Sequence, residues 1–285
     1  MNAAVSAGAA SAITGIDCHA HVMRRDLPLA ADRHSAPKRD VTVDEYLAVL
    51  DAHGMSHGVL TAPSFYGTDN SLLLAALDAH PARLRGTIIV APDVDAATLD
   101  DLDDRGVVGI RLNWVRRDTL PDVTSTPYRR LFGVMRDQGW HVEIFLEGPK
   151  LAAVLPRIRE CGANVVVDHF GSPDPARGVN DPGFREVLAG VRSGDTWVKL
   201  SAPYRLGGVD PRPYVDDLLD AGGPAQLVWA SDWPFVGFEE RVEYAQCVRW
   251  LQDWIPDEGV RRTILIDTPA KLFRFGREAA PAIGS

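Results

Sequence analysis

Val165-Val166-Val167-Asp168-His169-Phe170-Gly171 is an apolar, β-branched run that ends in a polar pair and a glycine. β-Branched runs favour strand. A strand closing on Asp-His places two chemically able side chains at its C-terminal end. Outward from it the same form recurs, and eight strands are expected over residues 13–19, 57–62, 86–91, 107–113, 141–146, 165–169, 196–201 and 227–231. Between them lie helical patterns at 43–53, 70–80, 96–105, 126–138, 150–161, 181–192, 211–221 and 239–254. Tyr46, Leu47 and Leu50 form one apolar stripe, and Leu73, Leu74 and Leu77 another. Asp69 and Thr126 stand where helices start, and Gly54, Gly106, Gly139 and Gly162 where they end. Residues 255–275 read as a final helix or two.

Eight strand–helix alternations point to a single-domain α/β fold, a (β/α)8 TIM barrel. An open doubly wound sheet gives the same alternation, but no glycine-rich phosphate loop follows the first strand. The 285 residues suit one barrel of roughly 250 residues. The barrel is expected over 13–277, with flexible segments at 1–12 and 278–285. With 46% hydrophobic and 24% charged residues, a large core is available. A net charge of −9 leaves no basic stripe for nucleic acid. Residues 1–12 lack a basic start and a long apolar run, so they do not read as a signal peptide. No apolar stretch approaches the roughly 20 residues that span a bilayer. Cys18, Cys161 and Cys247 have no metal-type spacing and fit reduced thiols in a cytoplasmic protein.

The strand ends carry the chemistry. Asp17, His19 and His21 recur at period two, so they are expected on one face, aiming two imidazoles at the barrel mouth. Such a pair binds a metal or polarises a carbonyl. His169 ends the sixth strand at the same mouth. Asp232, in Ser231-Asp232-Trp233-Pro234, ends the eighth. Beside aromatic rings it is expected to be desolvated and more basic, as a general base for water requires. Arg111 lies inside the apolar fourth strand, where an unpaired charge is costly, so it needs an anionic partner from protein or substrate. Arg116, Arg117 and Arg205 follow strand ends, and Arg116 fits a surface ion pair well.

Together these motifs resemble the amidohydrolase-2 branch of the amidohydrolase superfamily, in the group of its dicarboxylate, sugar-acid and muconolactone lactonases. The resemblance runs from about Ile16 to Phe275 and includes Asp17-Cys18-His19-Ala20-His21, Gly67-Thr68-Asp69-Asn70, Gly109-Ile110-Arg111-Leu112-Asn113, Gly139-Trp140-His141-Val142, Val167-Asp168-His169-Phe170-Gly171 and Ser231-Asp232-Trp233-Pro234. It implies a hydrolase that opens a carboxylate-bearing lactone, with His19, His21, His169 and Asp232 as a catalytic centre requiring no metal or other cofactor. It also implies an anionic small-molecule substrate held by Arg111, Arg117, Arg205 and Ser64. Two positions depart from the lactonases: Phe145 stands for a tyrosine, and a tyrosine of the loop after strand one has no counterpart near His34.

Two-metal members of the superfamily carry a bridging lysine or glutamate on strand four and a histidine on strand five. Here those strands offer Arg111, Glu143 and Phe145, and arginine is not a ligand. Two metals are therefore not expected, whereas one divalent ion such as zinc at His19, His21, His169 and Asp232 would have suitable ligand types. Two other functions compete. A zinc-dependent decarboxylase of aromatic or unsaturated acids needs a bound metal and the missing strand-five histidine. A catalytically silent binding barrel would not need all four central residues.

Overall fold

The computed structural model describes residues 12–276. The expected lead-in before Ala12 and the tail at 278–285 lie outside the described residues. Eight strands form: β1 (Ile16–Ala20), β2 (His57–Thr61), β3 (Leu84–Ile88), β4 (Val107–Asn113), β5 (His141–Phe145), β6 (Asn164–Val167), β7 (Thr196–Leu200) and β8 (Leu227–Trp229). They pair in parallel in chain order. The ring closes just beyond β8, where the His21 amide donates to the Trp233 carbonyl at 2.9 Å and the Asp232 amide to the His19 carbonyl at 3.0 Å. This closure leaves no sheet edge and decides the barrel over the open sheet.

Each strand is followed by a helix whose ends are locally specified. Thr42 caps Val43–Ala52 by accepting from the Glu45 amide, and that helix buries Tyr46, Leu47 and Leu50. Asp181 caps Pro182–Ser193 through the amides of Gly183 and Phe184. Gly139 ends Thr126–Gln138 at φ 68°, a left-handed turn that glycine takes without a Cβ clash. The main apolar layer lies between strands and helices. A second cluster fills the lower barrel interior, where Ile16, Cys18, Val59, Val108, Val166 and Val228 meet Phe273 and Phe275.

Three details differ from the sequence pattern. β3 begins at Leu84 rather than residue 86. The eighth helix begins at Tyr244, not 239, because the chain after β8 first crosses the mouth through Phe235 (φ 66°) and Gly237 (φ 86°). The closing segment is three short helices, Glu258–Arg262, Thr263–Asp267 and Thr268–Leu272. Among the described residues no helix is long and apolar enough to cross a membrane.

Candidate active site

The β1–β2 register slips between Asp17 and Ala20, the signature of a bulge. Asp17, His19 and His21 therefore do not share a face as period two predicts. Asp17 accepts from the Ser231 amide (2.9 Å), Ser231 Oγ (2.6 Å) and Tyr244 OH (3.1 Å), on the side of helix Tyr244–Trp254. Burial still pushes its carboxyl up to about 6 against these bonds. His19 and His21 turn together to the mouth, with Nε2 atoms 3.3 Å apart.

His169 and Asp232 join them from strand ends with left-handed backbones, φ 50° and 65°. Such φ values are uncommon for non-glycine residues and cluster where side chains are aimed at a site. Asp232 Oδ1 faces three imidazole Nε2 atoms: His19 at 3.7 Å, His169 at 3.8 Å and His21 at 4.0 Å. Its Oδ2 is clamped by Tyr204 OH at 2.8 Å and Arg205 Nη2 at 2.8 Å.

Hydrogen bonds fix the tautomer of His21 and favour one for His169. The Thr61 carbonyl can only accept, so His21 Nδ1–H donates to it at 2.7 Å. His169 Nδ1–H donates to Ser201 Oγ at 2.8 Å, while Ser201 Oγ–H points to the Lys199 carbonyl at 3.4 Å. Burial, aided by Arg111, lowers His21 to about 4; burial also lowers His169 to about 4. Both rings are neutral near pH 7 and turn lone pairs at Nε2 into the site. Asp232 has the opposite shift from the one expected. Burial alone would raise its carboxyl, but Arg205 and then the imidazoles outweigh burial and hold it below the usual carboxylate range.

Beneath these rings lies a buried ionic layer. Arg111 pairs with Glu143 (Nε–Oε1, 3.0 Å) and Asp168 (Nη2–Oδ2, 2.9 Å). Lys199 Nζ donates to Glu143 Oε2 at 2.5 Å, lies 3.2 Å from Asp168 Oδ1, and donates to His19 Nδ1 at 3.0 Å. Arg111 thus finds its anionic partners within the protein. Its guanidinium still edges the cavity and donates to the Ala62 carbonyl at 2.9 Å.

A cavity of about 950 Å³ opens above, lined in part by His21, Arg111, His169, Tyr204, Arg205 and Asp232. Ser64, His34 and Phe145 also line it. The Phe145 ring stands edge-on to His169, 4.9 Å between centroids, where a tyrosine was the family pattern. Arg205 stacks over Tyr204 (5.4 Å) and Phe238 (5.2 Å). Arg117 is not brought to the cavity: it pairs with Asp32 on the surface at 2.9 Å, and its neighbour Arg116 lines the cavity instead. Sequence reasoning assigned no role to Lys199, Ser201 or Tyr204; it took Asp168 only as half of a polar pair with His169 at the mouth, and Glu143 only as what strand five offers in place of a metal-ligating histidine. The buried-charge argument that singled out Arg111 applies equally to Lys199, between Val198 and Leu200.

Among the described residues, two groups have metal-type donors in reach of one another: His19, His169 and Asp232, and His19, Glu143 and Asp168. The second does not suit a cation, because Lys199 and Arg111 already neutralise its carboxylates. The first does, with His21 added. The His19–His21 separation of 3.3 Å matches the edge of about 3.3–3.4 Å of a tetrahedron built on zinc–nitrogen bonds, and Asp232 Oδ1 stands somewhat wider, 3.7–4.0 Å from the three imidazoles. His21, His169 and Asp232 offer lone pairs as they stand. His19 becomes a fourth ligand only if its proton sits on Nδ1, towards Asp168 Oδ1 at 3.3 Å.

Comparison with known proteins adds to this geometry. The Amidohydrolase family model matches residues 16–275. A 4-sulfomuconolactone hydrolase from Hydrogenophaga intermedia is 27% identical over 267 residues, covering 90% of this chain and 88% of the relative. A crystal structure from Pseudomonas putida, assigned as a 2-pyrone-4,6-dicarboxylic acid hydrolase, is 39% identical with a TM-score of 0.86, covering 94% of this chain and 100% of that one. A similarly assigned structure from Acinetobacter baumannii, with citric acid bound, is 31% identical with a TM-score of 0.85, covering 92% and 100%.

Proposed function

The chain belongs to the amidohydrolase family, and from that premise we propose that it hydrolyses a lactone bearing at least one carboxylate or similar anionic group. One observation carries the reading: a carboxylate oxygen, Asp232 Oδ1, faces three imidazole nitrogens at 3.7–4.0 Å on the floor of an arginine-lined cavity. The lactone hydrolases among the relatives act on acidic rings, which supports the same substrate class.

A water between Asp232 Oδ1 and His169 Nε2 has an acceptor for each of its hydrogens. Its lone pair then faces a lactone carbonyl carbon lying above. Asp232 takes the proton as the C–O bond forms. Negative charge gathers on the carbonyl oxygen, towards the Arg111 guanidinium and a His19 that carries its proton on Nε2; His21, whose Nδ1–H is spent on the Thr61 carbonyl, turns only a lone pair to the site and does not stabilise it. Collapse breaks the acyl–oxygen bond, and protonated Asp232 gives its proton to the leaving alkoxide. The product is a hydroxy acid.

The low basicity of Asp232 gives an anionic substrate a second role. Arg205 is the main group that depresses this carboxyl. A substrate carboxylate on Arg205 shares that positive charge and raises the basicity of Asp232 as the substrate arrives. Arg205 and Ser64 are the proposed anion contacts. Arg117 joins them only by leaving Asp32, and Arg116 is nearer at hand.

His21, His169 and Asp232, with His19 in its other tautomer, would hold a single divalent ion. Such an ion, when bound, supplies Lewis acidity towards a carbonyl or water. A decarboxylase on this fold would need a strand-five histidine at the mouth, but β5 presents Phe145 there and its His141 bonds Thr87 Oγ1 lower in the barrel at 3.1 Å. The test is a panel of acidic and neutral lactones followed by proton release. Turnover of carboxylate-bearing lactones is expected; a preference for neutral sugar lactones overturns the anionic-substrate claim, and no ring opening overturns the reading.

A further inference from the structure

We propose that Lys199 is a positioning residue that holds His19 as its Nε2–H tautomer, so that His19 presents a proton rather than a lone pair to His21 and Asp232. Lys199 rises from β7 inside the barrel, fully buried, and its ammonium is fixed by Glu143 Oε2 at 2.5 Å. An ammonium has three protons and no lone pair, so at 3.0 Å from His19 Nδ1 it can only donate. A neutral imidazole that accepts at Nδ1 carries its single proton on Nε2.

The other side of the ring leads independently to the same tautomer. His21 spends its Nδ1–H on the Thr61 carbonyl, so its Nε2 is a lone pair, 3.3 Å from His19 Nε2. Two lone pairs at that distance repel, and a proton on His19 Nε2 joins them. The donors then run in one direction: Lys199 to His19, His19 to His21, His21 to Thr61.

Two neighbours pull the other way. Asp168 Oδ1 lies 3.3 Å from His19 Nδ1, but the same oxygen sits 3.2 Å from Lys199 Nζ. Arg111 Nη2 is 3.5 Å from His19 Nε2, at the outer limit of a hydrogen bond, and already donates to Asp168 at 2.9 Å. The Lys199 contact, at 3.0 Å, is the shortest of the three. A cation entering the site must therefore first move the His19 proton across the ring, against Lys199. The buried ammonium biases the centre towards proton chemistry and away from metal.

The test is nitrogen-15 NMR of histidine-labelled, metal-free protein, with the His19 signals identified by their loss in His19→Gln. A proton on Nε2 is expected in the native protein; a proton on Nδ1 overturns the proposal. Lys199→Met together with Glu143→Gln removes the donor while keeping the layer's charge balanced, leaving Asp168 to face Nδ1. In this variant the Nδ1–H form is expected to gain at the expense of the Nε2–H form that His21 still favours, and zinc affinity, read by chelator competition, to tighten about 10–100-fold, the size of effects of groups just outside a metal's ligands. An unmoved proton or unchanged zinc affinity in the folded variant overturns the proposal. If the variant does not fold, the native spectrum decides alone. The proposal builds on the lactonase reading for its role in the site, yet neither readout uses turnover, so its failure and the failure of that reading are seen separately.

Discussion

Asp232 divides its two oxygens between holding and reacting. Tyr204 and Arg205 hold Oδ2, and Oδ1 is left facing the imidazoles. Asparagine keeps the side-chain shape and tolerates the left-handed backbone, φ 65°, at this position. Asp232→Asn should therefore fold and bind substrate while its kcat falls about 10²–10⁴-fold. The first acid limb of kcat/KM should not belong to Asp232, which Arg205 keeps low. It should belong to His169, near 4, because protonation there replaces a water acceptor with a donor; His21 titrates in the same range, and its protonation replaces the lone pair facing His19 with a donor. A profile flat above about pH 5 and falling with more than one proton below it is expected from those values. A single limb near pH 6.5, the value of an unperturbed histidine, would contradict it. Arg205→Met should lower kcat/KM for an acidic lactone well beyond tenfold, from loss of about 2–5 kcal/mol; equal kinetics would remove the anion contact.

At the scale of the element, β1 shows where sequence pattern stops being sufficient. Period two placed Asp17 with the two histidines, but a bulge is a register event between strands and leaves no mark in one strand's own residues. The strand ends themselves were legible, because packing gives no reason for a polar residue to close a β-branched run. Arg111 was legible as a buried charge, whereas its partners Glu143 and Asp168 needed the barrel to bring β5 and the end of β6 beside it. Arg117 was a site residue only by what the family resemblance implied; the loop turns at Arg116, φ 64°, and Arg117 pairs with Asp32. Gly109 in β4 is set by the same packing. A Cβ there would lie 2.4–2.6 Å from the atoms of the His141 ring, which is buried and bonded to Thr87. Gly109→Ala should cost about 1–3 kcal/mol by overpacking, read as a lower urea midpoint at unchanged slope. A midpoint equal to that of the native protein would show that the interior beneath the site yields freely.

For the whole molecule, the buried titratable groups set an acid limit. His19, His21, His141 and His169 are all pushed down foremost by burial, so the unfolded chain binds their protons at a pH where the folded chain does not. Stability from these rings is intact above about pH 6.5 and is lost as pH falls towards 4. Asp17 and Glu143 act in the opposite sense: burial raises both, so the folded chain holds their protons more tightly. Four histidines outnumber the two carboxylates, so the unfolded chain takes up a net excess of protons near pH 5 and stability falls as pH falls there. Urea unfolding at several pH values checks it, and stability that rises on acidification would contradict it. The barrel itself was legible because alternation over the whole chain averages out errors at single boundaries. The ionic layer under the site was not, because it depends on closure between chain segments far apart in sequence. The central claim, that water activated by Asp232 opens an acidic lactone, is tested most directly by turnover in oxygen-18 water with the native protein and Asp232→Asn. One heavy oxygen in the new carboxylate is predicted, with the rate in the variant lower by at least about 10²-fold. Substrate loss without incorporation, or a variant retaining more than about a tenth of the native rate, would contradict it.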